Sequence, residues 1–209
     1  MIIAIDGSAA SGKGTLAKRL ATHLGLSHLD TGALYRAVGL QLLNAGQEPK
    51  NINENQCVKS CVELDIALTT SPLIRSEKVA EMASVVAAMP AVRAALLDLQ
   101  RQFAATPPDP KGAILDGRDI GTVVLPHADF KFFIDADINT RAERRTKELL
   151  QAGQSVMFRD VLTDMQERDS RDRSRSAAPL RPADDAISID TSSMDADDVL
   201  ALALSHITP

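Results

Sequence analysis

MIIAIDGSAASGKGT, residues 1–15, decides the fold. Met1 to Asp6 is a short apolar run of the kind that forms a buried parallel strand, and it breaks at once into a glycine-containing turn followed by a helical pattern. Strand, glycine loop and helix in that order make a cradle for phosphate. Gly7, Gly12, Lys13 and Gly14 fit GxxxxGK, in which successive backbone N–H groups and a helix N-terminus surround an anion while the lysine reaches its outer oxygens. Taken alone, such a string is also compatible with a chance glycine turn. Its place directly after an apolar strand favours the cradle, with Gly7, Ser8, Ala9, Ala10, Ser11, Gly12, Lys13, Gly14 and Thr15 as the candidate triphosphate site. The usual spelling puts Ser or Thr directly after the lysine; here Gly14 intervenes and Thr15 follows.

Composition limits what such a cradle serves. The chain has 209 residues, 44% of them hydrophobic, enough for a real core in one domain with mobile elaborations. A net charge of −5 argues against wholesale nucleic-acid binding, and 3% aromatics with no tryptophan argue against a base-stacking platform. No apolar run approaches the roughly 18 residues of a membrane span, and the N-terminus is a strand instead of a charged leader, so the expectation is a cytoplasmic protein with no membrane partner. Cys57 and Cys61 are the only cysteines; without a second ligand pair they read as reduced, incidental thiols. The four histidines show no evident partners and receive no role.

Going outward along the chain, Thr15 to Leu24 has a helical period closed by Gly25. A short strand, Leu26 to Leu29, delivers Asp30 and Thr31 to a helix with Thr31 as N-cap and Gly46 as C-cap, which places Tyr35 and Arg36 within its first two turns. Asn53 to Leu64 reads as helix, Asp65 to Thr69 as a short strand, Glu77 to Ala88 as helix, and Pro90 to Phe103 as another. Pro107, Pro108 and Pro110 mark a surface loop. Gly112 to Asp116 repeats the buried-strand pattern and ends in a carboxylate, followed by GRDIGTVV. An aspartate there lies at the carboxyl edge of an open α/β sheet, where Mg²⁺ is commonly served directly or through water. Strands over Phe130 to Asp135 and Ile187 to Asp190 alternate with helices over Asn139 to Gln151, Met157 to Ser176 and Ala196 to Ser205. That alternation predicts a parallel sheet with helices on both faces.

In ERDSRDRSR, Arg168, Arg171, Asp172 and Arg175 fall at i, i+3, i+4 and i+7, one helix face, while Asp169 and Arg173 sit four apart on another and read as a self-paired couple. Composition alone suggests a solvated charged helix or an Arg/Ser tract. Electrostatics favours a site: two phosphate groups meeting bring more negative charge than one lysine and one Mg²⁺ offset, and guanidinium forks match phosphate oxygens.

The spelling GKGT resembles the nucleoside monophosphate kinases among P-loop proteins. IDGSAASGKGT, DTGALYRA, DGRDIGTVV and RDSRDRSR, in this order and spacing, resemble bacterial cytidylate kinases over essentially the whole chain. The resemblance implies an α/β, three-layer P-loop kinase fold with a five-stranded parallel sheet, within a single domain spanning 1–209. It implies a CMP-binding insertion at about 47–89 and a lid at about 153–180. Here the stretch from Asp65 to Arg75 is too short for more than one or two strands, so the CMP-binding subdomain is expected to be shortened. The implied reaction moves the γ-phosphoryl of ATP to CMP or dCMP with Mg²⁺, in a monomer. By motif, the resemblance places Ser84, Arg93 and Asp119 at the cytosine and Arg168 and Asp172 at the sugar. It places Arg36, with Tyr35 beside it, Arg118 and Arg175 at the acceptor phosphate, and Asp30 near the transfer centre.

Chemistry agrees with the base assignment. Cytosine offers an amino donor at N4 and acceptors at N3 and O2, which suit a carboxylate and a guanidinium; uracil would leave both without partners. Lys13, Asp30, Arg118, Arg171 and Arg175 form the expected catalytic set, with Thr15 and Asp116 as the protein side of a Mg²⁺ site. The rivals are another small-molecule P-loop kinase, acting on a different nucleotide or a shikimate-like acceptor, and a nucleotide switch or RNA-associated module. The chain has no NKxD guanine-reading string, and its arginines alternate with aspartates, which disfavours the last class.

Overall fold

The structure is a computed structural model and describes residues 1–207. Its centre is a five-stranded parallel sheet of β1 (Ile2–Gly7), β2 (Ser27–Asp30), β3 (Ala113–Gly117), β4 (Phe130–Asp135) and β5 (Ile187–Asp190), in the order β2-β3-β1-β4-β5. Apolar runs with little alternation form β1, β3 and β4 because strands flanked by helices are buried on both faces. The helices are α1 (Lys13–Leu24), α2 (Thr31–Asn44), α3 (Glu54–Val62), α4 (Glu77–Val86), α5 (Pro90–Ala105), α6 (Ile138–Gln151), α7 (Phe158–Ser174) and α8 (Ala196–Ile207).

The chain divides into two compact units, one of Met1–Leu29 with everything from Thr106 on, the other Asp30–Ala105. In the first, Ile3, Ile5, Ile114, Phe132 and Ile134 bury one sheet face against Leu16 and Leu20 of α1 and Val199 and Ala203 of α8. Strand alternation sends Ala4 and Asp6 to the opposite face. Register pairs Ile5 with Asp116 and Asp6 with Gly117, so the carboxylates ending these two neighbouring strands leave the sheet on opposite sides. The second unit is helical, with α2 against α4 and α3 against α5.

Several local readings change. Asp65 to Thr69 is not a strand: Ile66–Thr70 and Pro72–Arg75 are 3₁₀ turns. The Asp65 carboxylate accepts from Ala67 N at 2.9 Å, and the Asp65 N–H donates to Gln41 Oε1 at 3.1 Å, so local capping outweighs the β-propensity of the run. The N-cap of α2 is Asp30, whose Oδ1 accepts from Ala33 N at 3.0 Å, with Thr31 the first helical residue. At the other end Ala45 closes the helix and Gly46, at φ +76°, lies one beyond. Helix α7 stops at Ser174, leaving Arg175 as an extended C-cap.

Candidate active site

The phosphate cradle is built from β1, residues 8–12 and α1. Gly7 has φ +154°, and a Cβ there would sit 1.9 Å from the Ile134 carbonyl oxygen, so only glycine lets β1 leave the sheet at this point. Gly12, at φ +91°, opens α1 with no side-chain cap and no acidic residue in the first turn, leaving its N-terminal N–H groups and partial positive charge for an anion. Lys13 Nζ donates to Ser8 O at 3.2 Å, which folds the ammonium back over the loop. The loop's carbonyls are tied elsewhere: Thr191 Oγ1 donates to Ser11 O at 2.9 Å and Arg141 Nη1 to Ala9 O at 3.4 Å. Ser8 and Ser11 are fully buried with hydroxyls that meet no protein partner.

Asp116, 4% exposed, ends β3 on the α1 side of the sheet; a Cβ on Gly14 would lie 3.7 Å from its Oδ2. The P-loop backbone and this carboxylate therefore face each other. Its Oδ1 lies 2.6 Å from His28 Nε2, delivered by β2. His28 thus has a partner that sequence reasoning missed, because the two residues stand 88 positions apart. Among the described residues no cluster of three or more His, Cys, Asp or Glu side chains gathers at one point. A hard cation that keeps its water and takes the rest of its shell from phosphate fits one carboxylate and one hydroxyl, Asp116 and Thr15.

The turn after β3 carries Arg118 and Asp119. Asp6 accepts from its Ile120 and Gly121 N–H groups at 2.7 and 2.8 Å. Burial pushes the Asp6 carboxyl up to about 7; the nearby Asp119 adds to this, while the two N–H donors and Arg118 oppose it. Arg118 Nε donates to Asp172 Oδ2 at 2.9 Å, and Arg175 also pairs with Asp172, which is 1% exposed. Burial raises that carboxyl, but Arg118, Arg175 and Arg168 outweigh it and hold it below the ordinary range. The first unit therefore brings Arg118, Arg168, Asp172 and Arg175 together, and Asp119 is buried beside them in sequence at 5% exposure. Arg171 stands exposed on α7.

The expected Asp169–Arg173 couple does not form. Asp169 accepts from Arg141 Nη2 at 2.6 Å, while Arg173 reaches Asp135 at 3.3 Å. Arg141, 3% exposed, links the cradle at Ala9, the end of β4 at Ala136 O and α7, a junction that its RAERR context did not announce.

Within the second unit, Asp30 pairs with Arg36 at 3.2 Å. The Arg93 guanidinium lies over the Tyr35 ring, 5.7 Å from its centroid, and donates to Ala87 O at 3.2 Å. Ser84 is 5% exposed, and its hydroxyl meets no protein partner. Cys57 and Cys61 are buried free thiols, burial pushing Cys61 up to about 11.

Comparison with known proteins adds the decisive observation: the sequence model of the family described as cytidylate kinase matches residues 3–209. The chain belongs to the cytidylate kinase family. Proteins named cytidylate kinase from Paramagnetospirillum magneticum and Rhodospirillum rubrum are 54% and 52% identical to it, over 99% and 98% of this chain and 97% and 95% of theirs. A solved structure of an uncharacterized protein from Eubacterium ventriosum aligns with a TM-score of 0.53 at 16% identity, over 99% of this chain and 98% of that one. That likeness shows the fold alone. In this cytidylate kinase family member, Lys13, Asp116 and the Arg118–Asp172–Arg175 cluster all belong to the unit that holds the sheet.

Proposed function

We propose that the protein transfers the γ-phosphoryl group of ATP to CMP or dCMP, giving ADP and CDP or dCDP. The supporting observation is the extent of the match: the family model spans residues 3–209, and relatives named cytidylate kinase are more than half identical over 99% of the chain.

The N–H groups of residues 7–15 and the Lys13 ammonium hold the β- and γ-phosphates of ATP. Thr15 and Asp116 would hold Mg²⁺, which when bound neutralises phosphate charge and helps orient the triphosphate. An acceptor phosphate oxygen attacks the γ-phosphorus in line as the bond to the bridging β,γ-oxygen breaks. The acceptor is already anionic, so the protein supplies position and positive charge and needs no strong base. Arg36, with Tyr35 beside it, and Arg118 orient the acceptor phosphate, with Asp30 steering Arg36. Arg175 and Arg171 cover the transferring group. Arg168 and Asp172 take the sugar hydroxyls; Ser84, Arg93 and Asp119 read the cytosine. Asp172 keeps the arginines apart and oriented until phosphate replaces part of its charge.

No single helix among the described residues is long and apolar enough to cross a membrane. We take the enzyme to act as a cytoplasmic monomer on small molecules, without nucleic-acid or membrane partners. Initial rates with CMP, dCMP, UMP and AMP at saturating ATP and Mg²⁺ test the reading. Turnover of CMP and dCMP far above AMP supports it; AMP as the best acceptor would replace it with another nucleotide kinase.

A further inference from the structure

The cradle leaves Asp6 without a task, although its carboxylate is 4% exposed at the end of β1. Both its oxygens are spent on consecutive N–H groups 114 and 115 residues away, Ile120 at 2.7 Å and Gly121 at 2.8 Å. Gripping two successive N–H groups fixes both the place and the rotation of those peptide planes. The residues held this way directly follow Arg118 and Asp119. Approach is close by design of the turn: a Cβ on Gly121 would stand 3.2 Å from Lys131 Cδ and 3.5 Å from Asp6 Oδ2. Asp119 and Arg118 are the charged groups that act on this carboxylate, and the stem of Lys131 lies against Gly121.

Burying a carboxylate is costly, and a turn that needs only a cap can take a neutral acceptor. Ionised above about pH 7, the carboxylate gives both N–H groups charge-assisted bonds and stiffens the turn where a recognition pair begins.

We propose that Asp6 is a positioning residue for the acceptor nucleotide, aiming Arg118 and Asp119 so that the site distinguishes cytosine from uracil. This rests on the reading that Arg118 and Asp119 contact CMP. Asp6 adjoins Gly7 of the cradle, so a merely structural role would disturb ATP and CMP alike, whereas a positioning role separates them.

The test, run at about pH 8 where the carboxyl is ionised, is Asp6→Asn, which keeps the shape but turns an NH₂ toward one of the two N–H groups. KM for CMP should rise about tenfold, the equivalent of one hydrogen bond lost, with KM for ATP within about twofold of its starting value. The ratio of kcat/KM for CMP over UMP should fall. Both KM values rising together, or neither rising, overturns the proposal. If Asp6→Asn does not fold by circular dichroism, Gly121→Ala decides through the same separation, and its absence there counts equally against the proposal. Asp119→Ala is run beside them. If it leaves CMP untouched, the reading of the acceptor site fails; if it weakens CMP while Asp6→Asn does not, this inference alone fails.

Discussion

Asp6→Asn is also expected to abolish a pH dependence of folding stability. Burial raises the Asp6 carboxyl from 3.8 to about 7 in the native chain, whereas the unfolded chain keeps the ordinary value. Between those values the folded protein holds a proton that the unfolded one has released, so this group's contribution is fully present below about 3.8 and is lost as pH rises through about 7. From pH 8 to pH 5 that amounts to two full pH units below the native value, at about 1.36 kcal/mol each, or on the order of 3 kcal/mol gained on acidification. Apart from Asp119, whose charge is coupled to it, the other groups titrate alike in both proteins, so the difference between them reports chiefly on Asp6. Urea denaturation of the wild type and the variant at pH 5, 6, 7 and 8 provides the measurement. The wild type should gain on the order of 3 kcal/mol on the variant across that range, most of it below pH 7. Parallel curves would refute the reasoning, because they would mean that the Ile120 and Gly121 donors outweigh burial and keep Asp6 ionised throughout.

Asp172→Ala leaves Arg118, Arg168 and Arg175 facing one another in a site that is barely solvated, and should cost about 3–5 kcal/mol in urea denaturation, as removal of one partner from a buried ion pair does. The depressed carboxyl has the opposite sign to Asp6: its stabilisation is present above the ordinary carboxylate range and is lost only as the solution becomes more acidic. His28→Ala removes the partner 2.6 Å from Asp116 and should raise the Mg²⁺ concentration for half-maximal rate by about tenfold, a loss typical of groups that orient a metal ligand. An unchanged Mg²⁺ titration would make the pair purely structural. Arg175→Ala should slow single-turnover transfer on the order of 10³-fold if it covers the γ-phosphoryl as an arginine finger does. A loss under about tenfold would remove it from the catalytic set.

Much of this was legible in the chain wherever the signal is local. The apolar runs of β1, β3 and β4, the glycines of the cradle and the period of α1 each declare themselves within a dozen residues, and the four motifs together carried the family. The stretch Asp65 to Thr69 misled because its apolar and β-branched residues suggest a strand while the deciding groups are the Asp65 carboxylate and the distant Gln41 amide. Asp169 and Arg173 have helical spacing that favours pairing, yet Arg141 and Asp135 offered better partners from elsewhere in the fold. Asp6 and His28 were invisible for the same reason: strand alternation places them, but their partners arrive from β3 and the turn after it. A charged residue ending an apolar strand, as Asp6 does, is the one hint that was available.

On the proposed reading, this kinase tells an amine from a carbonyl on a pyrimidine with Asp119 and Arg93. The most direct measurement is kcat/KM for CMP and for UMP, in the wild type and in Asp119→Ala. The wild type should prefer CMP by at least about a hundredfold and the variant should narrow this to about tenfold or less, chiefly by losing CMP, since a site built to accept a hydrogen bond rejects the base that lacks it. A wild type that phosphorylates both equally well, or a variant with the ratio unchanged, would contradict it.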